Sequence, residues 1–258
     1  MMRLLAGVVI LLFVVLITHS VAFAQELKTG TRLFVIGDDV TVHSVEDDEE
    51  FRIEHGTVFR VEESAPNRYA VRHKGKPVYV DKDDVKTMEE TLQWVNGRNA
   101  EDPTANHYGL KTHVLYSLRR HSEAIVASDK ALELEPEHLT SLQYRAASYF
   151  FLNDLEETSD LVEQLKELTP ENYMPYVLEF YVAHTRRDMQ RAVEAIKTAT
   201  SLNPWEGALW SNRGLAHFEI GERDEGFASL ERAIEMAPAS SGGYQLYGIY
   251  AFNDRDYK

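Results

Sequence analysis

The 258-residue chain contains no cysteine. That excludes disulfides, thiol nucleophiles and cysteine-ligated metals at one stroke. A eukaryotic secreted chain of this size often carries disulfides, so the lack of them beside an export signal points to a bacterial envelope. Positive charge is scarce: 27 Lys and Arg stand against 42 Asp and Glu, a formal charge of −15. A phosphate backbone is bound through a basic footprint, so no nucleic-acid partner is expected. Catalytic signatures are missing too. There is no H-E-x-x-H pair, no G-x-S-x-G, no phosphate loop and no G-x-G-x-x-G, the spacings that would bring ligands, nucleophiles or phosphate-cradling amides together. The histidines are scattered, none beside a second clear ligand. The expectation is a protein that is not an enzyme and takes no metal or cofactor.

What the chain has begins with an export signal. Arg3 supplies the positive start, and Leu4 to Ile17 is almost unbroken apolar sequence. Ala22-Phe23-Ala24 makes an A-x-A cleavage site, so residues 1–24 read as a signal peptide and the mature chain starts at Gln25. The run is too short for a comfortable membrane span, and none remains after cleavage. The alternative is an uncleaved anchor. About 44% of the residues are hydrophobic, enough for packed cores and too many for a disordered chain.

From Ala105 to Ser240 the sequence repeats. Pro136, Pro170, Pro204 and Pro238 are evenly spaced, and proline follows a helix end without continuing the helix. Other residues keep the same step. With each proline at position 32, position 4 holds Tyr108, Leu142, Tyr176 and Trp210, and position 8 holds Thr112, Ala146, Phe180 and Gly214. Position 20 holds Ala124, Thr158, Ala192 and Gly226, and position 27 holds Ala131, Leu165, Ala199 and Ala233. Bulky residues at 4 and small ones at 8 and 20 let two helices pack closely. A fixed period of about 34 residues is the mark of a helical-hairpin solenoid. This register resembles the tetratricopeptide repeat, with Trp210, Gly214, Ala233 and Pro238 matching best and Phe180 departing from the small residue at position 8. Four repeats follow, at 105–138, 139–172, 173–206 and 207–240. Met88, Leu92 and Val95 share a helix face, so residues 87–104 read as a linker with a capping half-repeat helix. After Pro238 the pattern restarts with Tyr244, Gly248 and Ala251 at positions 4, 8 and 11, and residues 241–258 read as a single capping helix, an end of the kind solenoids need.

Residues 25–86 have a different period. Arg32–Ile36, Val40–Val42, Thr57–Val61, Tyr69–Val71 and Pro77–Val80 alternate with period two between Gly, Asn, Asp and Pro clusters. Five such runs in about sixty residues predict a small antiparallel barrel. Gly56-Thr-Val58, Tyr69-Ala-Val71 and Val78-Tyr-Val80 with Asp83-Asp84-Val85 resemble a bacterial SH3-like domain. The acidic run Glu46 to Glu50 lacks the ligand spacing and turn glycine of a calcium loop, so it reads as a solvated loop. The fold class is therefore multidomain, a small all-β SH3-like barrel followed by an all-α superhelical solenoid.

First helices of such a solenoid line a concave face where extended partners bind. The resemblance implies that positions 2, 5, 9, 12 and 13 point into it. Those positions give Asn106, His113, Tyr116, Gln143, Phe150, Phe151, Tyr181, His184, Ser211, Phe218 and Gln245 as the peptide-binding set, with Glu219 and Phe252 beside them. Aromatic rings supply burial and amides pair with a peptide backbone. Cations that would clamp a carboxylate tail are absent from the set. The expectation is an exported scaffold that binds a protein or peptide. Two rivals stand beside it: a cell-wall (peptidoglycan) binder acting through the SH3-like domain, and an enzyme using His55 and His73 where barrel and repeats meet.

Overall fold

The computed structural model describes residues 31–36, 40–53, 57–64, 67–73, 76–236 and 241–255. The expected signal peptide, His55 and Pro238 lie outside them. The chain divides into two compact units between Arg119 and Arg120.

The first unit opens with eight short strands: β1 (Arg32–Val35), β2 (Val40–His43), β3 (Glu50–Ile53), β4 (Val58–Arg60), β5 (Glu63–Ser64), β6 (Arg68–His73), β7 (Lys76–Asp81) and β8 (Val85–Thr87). They pair antiparallel in three small sheets, ordered β4-β1-β8, β2-β3 and β5-β6-β7. The expectation of one closed five-stranded barrel differs from this. Strands of two to six residues end their ladders early, and among the described residues the hydrogen bonding does not close a ring. An isolated bridge from Ser44 to Val78 ties the β2-β3 hairpin to the third sheet. Sequence patterning leaves β3 unmarked beside an acidic loop, yet Phe51 and Ile53 alternate inward and pair with Val42 and Val40.

The period-two side chains meet in one core of Leu33, Val35, Val40, Val42, Phe51, Ile53, Phe59, Val61, Val71, Val78, Val80 and Val85. Strand β1 is buried on both faces. Its Phe34 turns away from that core to join Leu110 and Val114, with Met88 and Leu92 packed alongside. These last four come from α1 (Met88–Glu101) and α2 (Ala105–Ser117). Burying Phe34 completely stabilises this contact by about 1.5–3 kcal/mol. Helix α1 starts on a capping box: Thr87 Oγ1 accepts from the Glu90 backbone N–H and Glu90 Oε2 accepts from the Thr87 N–H. Those bonds satisfy two donors that an uncapped end leaves exposed.

The second unit is all helix: α3 (His121–Leu134), α4 (Leu139–Phe151), α5 (Leu155–Leu168), α6 (Tyr173–Thr185), α7 (Met189–Leu202), α8 (Gly207–Glu219), α9 (Arg223–Met236) and α10 (Ser241–Arg255). Helices α2, α4, α6 and α8 start at Ala105, Leu139, Tyr173 and Gly207, one proline step apart. Side-chain caps repeat with them: Asp154 and Asp188 accept from the third backbone N–H beyond them, and Asn172 from the second. Positions 20 and 27 are buried in every repeat, from Ala124 and Ala131 to Ala192 and Ala199. The α8–α9 hairpin is the closest. A Cβ on Gly214 would lie 2.8 Å from the Leu230 side chain, and one on Gly226 would lie 2.8 Å from the Phe218 ring. Phe180 breaks the small-residue rule yet is fully buried. Helix α7, which packs on it, carries buried Ala192, Ala195 and Ala199, and total volume rather than any one side chain is what a core conserves.

Candidate functional site

First helices α4, α6, α8 and α10 lie side by side, and their facing side chains form a continuous row. Phe150 on α4 sits 5.8 Å from Tyr181 on α6, ring centre to ring centre. The Tyr181 hydroxyl accepts from Asn212 Nδ2 on α8 at 2.9 Å. One turn further on, His184 Nε2 on α6 lies 2.9 Å from Glu219 Oε2 on α8. Phe218 on α8 then stacks flat on Tyr250 of α10, with ring centres 3.8 Å apart and planes within 6°.

The row is mostly apolar, and the contact between His184 and Glu219 is withdrawn from water. The His184 and Glu219 side chains are 10% and 17% exposed. Burial, then the Glu219 carboxylate, pushes the Tyr250 hydroxyl up to about 12. Burial also raises the Tyr181 hydroxyl, and the Asn212 bond opposes it. Both phenols stay protonated and act as hydrogen-bonding aromatic surface.

The predicted residues fall into three groups. Phe150, Phe151, Tyr181, His184 and Phe218 come together in the row, where Phe151 also stacks on His121 at 4.8 Å. Gln143 on α4 is half-buried and Gln245 on α10 is exposed, so both amides reach water. Ser211 is buried, and its hydroxyl donates to the Gly207 carbonyl of its own helix. The first-unit residues differ again. Asn106 is exposed and Tyr116 half-buried, while His113 packs edge-on against Phe34 at 4.8 Å. Burial and the Arg32 charge hold the His113 imidazole down to about 3, so it stays neutral. His73, the candidate of the enzymatic rival, packs edge-on against Phe51 and Phe59. Asn212 and Tyr250, which complete the row, escape a reading of the sequence. They occupy positions 6 and 10 of their units, and only the register could have pointed to them.

A separate charged cleft lies between α5, α6 and α7, lined in part by Glu163, Glu179, Arg186 and Arg191. Its charges satisfy one another. Arg191 donates to Glu179 at 2.7 Å and to Glu163 at 2.9 Å, Lys166 donates to Glu179 at 3.1 Å, and Arg186 donates to the Leu155 carbonyl at 2.9 Å. Among the described residues no three metal-ligating side chains gather, and no helix is long and apolar enough to cross a membrane.

Residues 208–240 match the tetratricopeptide repeat family. The helical part is a tetratricopeptide-like solenoid. Its fold is shared with a MamA fragment from Desulfovibrio magneticus RS-1, 17% identical, with a TM-score of 0.51 over 59% of this chain and 87% of that one. It is shared also with the Cut9–Hcn1 hetero-tetramer of APC/C, 18% identical, with a TM-score of 0.59 over 65% of this chain and 34% of that one. Among curated proteins, mouse sperm-associated antigen 1 is 31% identical over 84 residues, which is 33% of this chain and 9% of that protein. This chain thus spans a small part of that relative's length. The residues that match the repeat family include Asn212 and Phe218 of the aromatic row.

Proposed function

We propose that this protein is an exported scaffold that binds an extended segment of a partner protein along its row of first helices. The observation that carries the reading is the row itself. Phe150, Phe151 and Tyr181 are each half-buried and packed on a neighbouring ring. Such rings offer apolar area that needs little further ordering on binding. Gln143 and Gln245, on two of the same helices, carry amides that can pair with a peptide backbone. Export rests on the Arg3, Leu4 to Ile17 and Ala22-Phe23-Ala24 pattern. In this reading the β unit serves as an SH3-like module that positions the repeats or binds a second partner.

The test is selection of peptides from a random displayed library against the full chain, followed by fluorescence anisotropy on the selected peptides. The variant is Phe150→Ala with Gln143→Arg, checked for helix content by circular dichroism. Phe218 and His184 are unsuitable for this purpose because both are buried parts of the fold. The expected result is at least a tenfold loss of affinity, about 1.4 kcal/mol. Equal affinity for the folded variant would remove the row as the binding surface. Binding retained by a chain whose β unit alone is intact would give the function to that unit.

A further inference from the structure

In the helical unit a first helix meets the second helix of the preceding repeat across a seam, and position 7 of the repeat faces that seam. In two repeats the residue there is a charge met by its opposite. Arg145 on α4 donates to the Asp129 carboxylate on α3. Glu179 on α6 accepts from Lys166 on α5 at 3.1 Å. The seam between α7 and α8 breaks the pattern. Position 7 is now Arg213, and across from it stands Thr200, at position 28, where the preceding repeat has Lys166. Arg213 Nη1 donates to Thr200 Oγ1 at 3.3 Å, the one hydrogen bond of this side chain among the described residues. Its Nε is buried without an acceptor, and Nη2 reaches the surface without one. Burial pushes the guanidinium down, and no neighbouring carboxylate opposes it. A half-buried charge is costly unless an opposite charge answers it. In this seam the chain supplies none.

The surroundings of Arg213 select the anion. Its guanidinium carbon lies 5.1 Å from the centre of the Trp210 ring. Trp210 Nε1 donates to the Pro204 carbonyl at 2.8 Å, which ties the turn of Pro204 and Trp205 to that indole. Trp205 is 74% exposed and Leu202, on the same turn, is 39% exposed. The cation therefore stands beside apolar and aromatic surface. With Nε buried, the open part of the guanidinium is its Nη end, and paired N–H groups match the two oxygens of a carboxylate. A phosphate dianion would bring a second negative charge to a chain of formal charge −15. Position 7 is not among the positions expected to face the concave side, so this place is separate from the aromatic row.

We propose that Arg213, Trp210 and Thr200 form a receptor for a carboxylate carried on an apolar or aromatic group, which supplies the counter-charge that this seam lacks. The carboxylate belongs to a free organic acid or to a C-terminal residue with an apolar side chain.

Two-dimensional NMR of the full chain, following the indole N–H signals of its three tryptophans, tests the site with benzoate and benzamide as probes. Benzoate should shift Trp205 and Trp210 with a Kd on the order of 1 mM, the affinity of a single charge-assisted contact. Trp94, in the first unit, should stay still. Benzamide has the same shape without the charge and should bind at least tenfold more weakly. Arg213→Gln should weaken benzoate binding at least tenfold. Thr200→Asp keeps the arginine but sets a carboxylate opposite it, as in the neighbouring seams, and should block benzoate. Folding of both variants is read from the same spectra. Acetyl-glycyl-phenylalanine and its C-terminal amide separate the two sources. Binding tighter than that of benzoate, and lost on amidation, assigns the site to a chain terminus, whereas weaker binding assigns it to free acids. No shift at tens of millimolar benzoate overturns the proposal. So do equal shifts of all three indoles, equal binding of benzoate and benzamide, or benzoate binding unchanged in folded Arg213→Gln or folded Thr200→Asp.

Discussion

Four residues hold the turns inside the hairpins, and each has a left-handed backbone: Arg119 at φ 62°, Asn153 at 64°, Arg187 at 62° and Gly221 at 84°. They recur in step with the repeat, and only the last is glycine. A side chain in that region costs roughly 1–2 kcal/mol, because Cβ crowds the following carbonyl. Glycine avoids the clash but loses more backbone freedom on folding. Arg187→Gly should therefore raise stability by about 0.5–1 kcal/mol, and Gly221→Ala should lower it by about 1 kcal/mol, read from urea midpoints. A second prediction concerns the acidic loop. Lys76 bonds both Asp47 and Glu49, the latter at 2.5 Å. The Lys76 bond, helped by Ser44, holds the Asp47 carboxyl down from 3.8 to about 2. A depressed carboxylate contributes stability that is complete above about pH 4 and is lost as pH falls toward 2. The Asp47 carboxyl carbon shift should titrate near 2 in the wild type and return toward 3.8 in Lys76→Ala.

At the scale of elements, spacing between helices decides which glycines matter. Gly226→Val drives a branched side chain into the Phe218 ring, and overpacking of that kind costs about 1–3 kcal/mol. Gly97→Ala in α1 meets nothing within 4 Å and should stabilise by about 0.5–1 kcal/mol through helix propensity alone. Phe180→Ala opens a large hole between α6 and α7 and should cost about 3–5 kcal/mol. Denaturant midpoints for the three variants check the order, with Gly97→Ala above the wild type and Phe180→Ala lowest. The Phe180 case also shows why a small-residue rule at one position is loose: the α7 alanines leave room that the ring takes up.

The whole molecule is two compact units in one chain. A change in one core should therefore register in that unit first. Val78→Ala removes apolar volume from the fully buried centre of the β core and should destabilise by about 1–3 kcal/mol. Hydrogen exchange read by mass spectrometry should show faster exchange in β1 to β8, α1 and α2, with the protection of α6 to α9 unchanged. Spread of the loss evenly over both units would mean that they unfold as one. In the helical unit, stability is shared between neighbouring hairpins, as in solenoids generally. The α8–α9 pair, with its two close glycine contacts, should keep its amides longest.

Local periodicity specifies the helical half in some detail. The constant proline step, the buried residues at positions 20 and 27 and the helix starts at Ala105, Leu139, Tyr173 and Gly207 all follow from it, and a period is a property of the chain before it folds. The β half is less legible. Strand β3 hides behind the charges of Glu46 to Glu50, because two inward residues in four make a weak signal beside an acidic run. How the strands divide into sheets depends on partners that sequence spacing does not name. The same limit governs the candidate site. Composition marks Phe150, Tyr181, His184 and Phe218 as available rings, but only the fold decides that Phe218 is spent on Tyr250, that His184 answers Glu219 and that Tyr181 is held by Asn212. Exposure is set by side chains brought close from a whole repeat away.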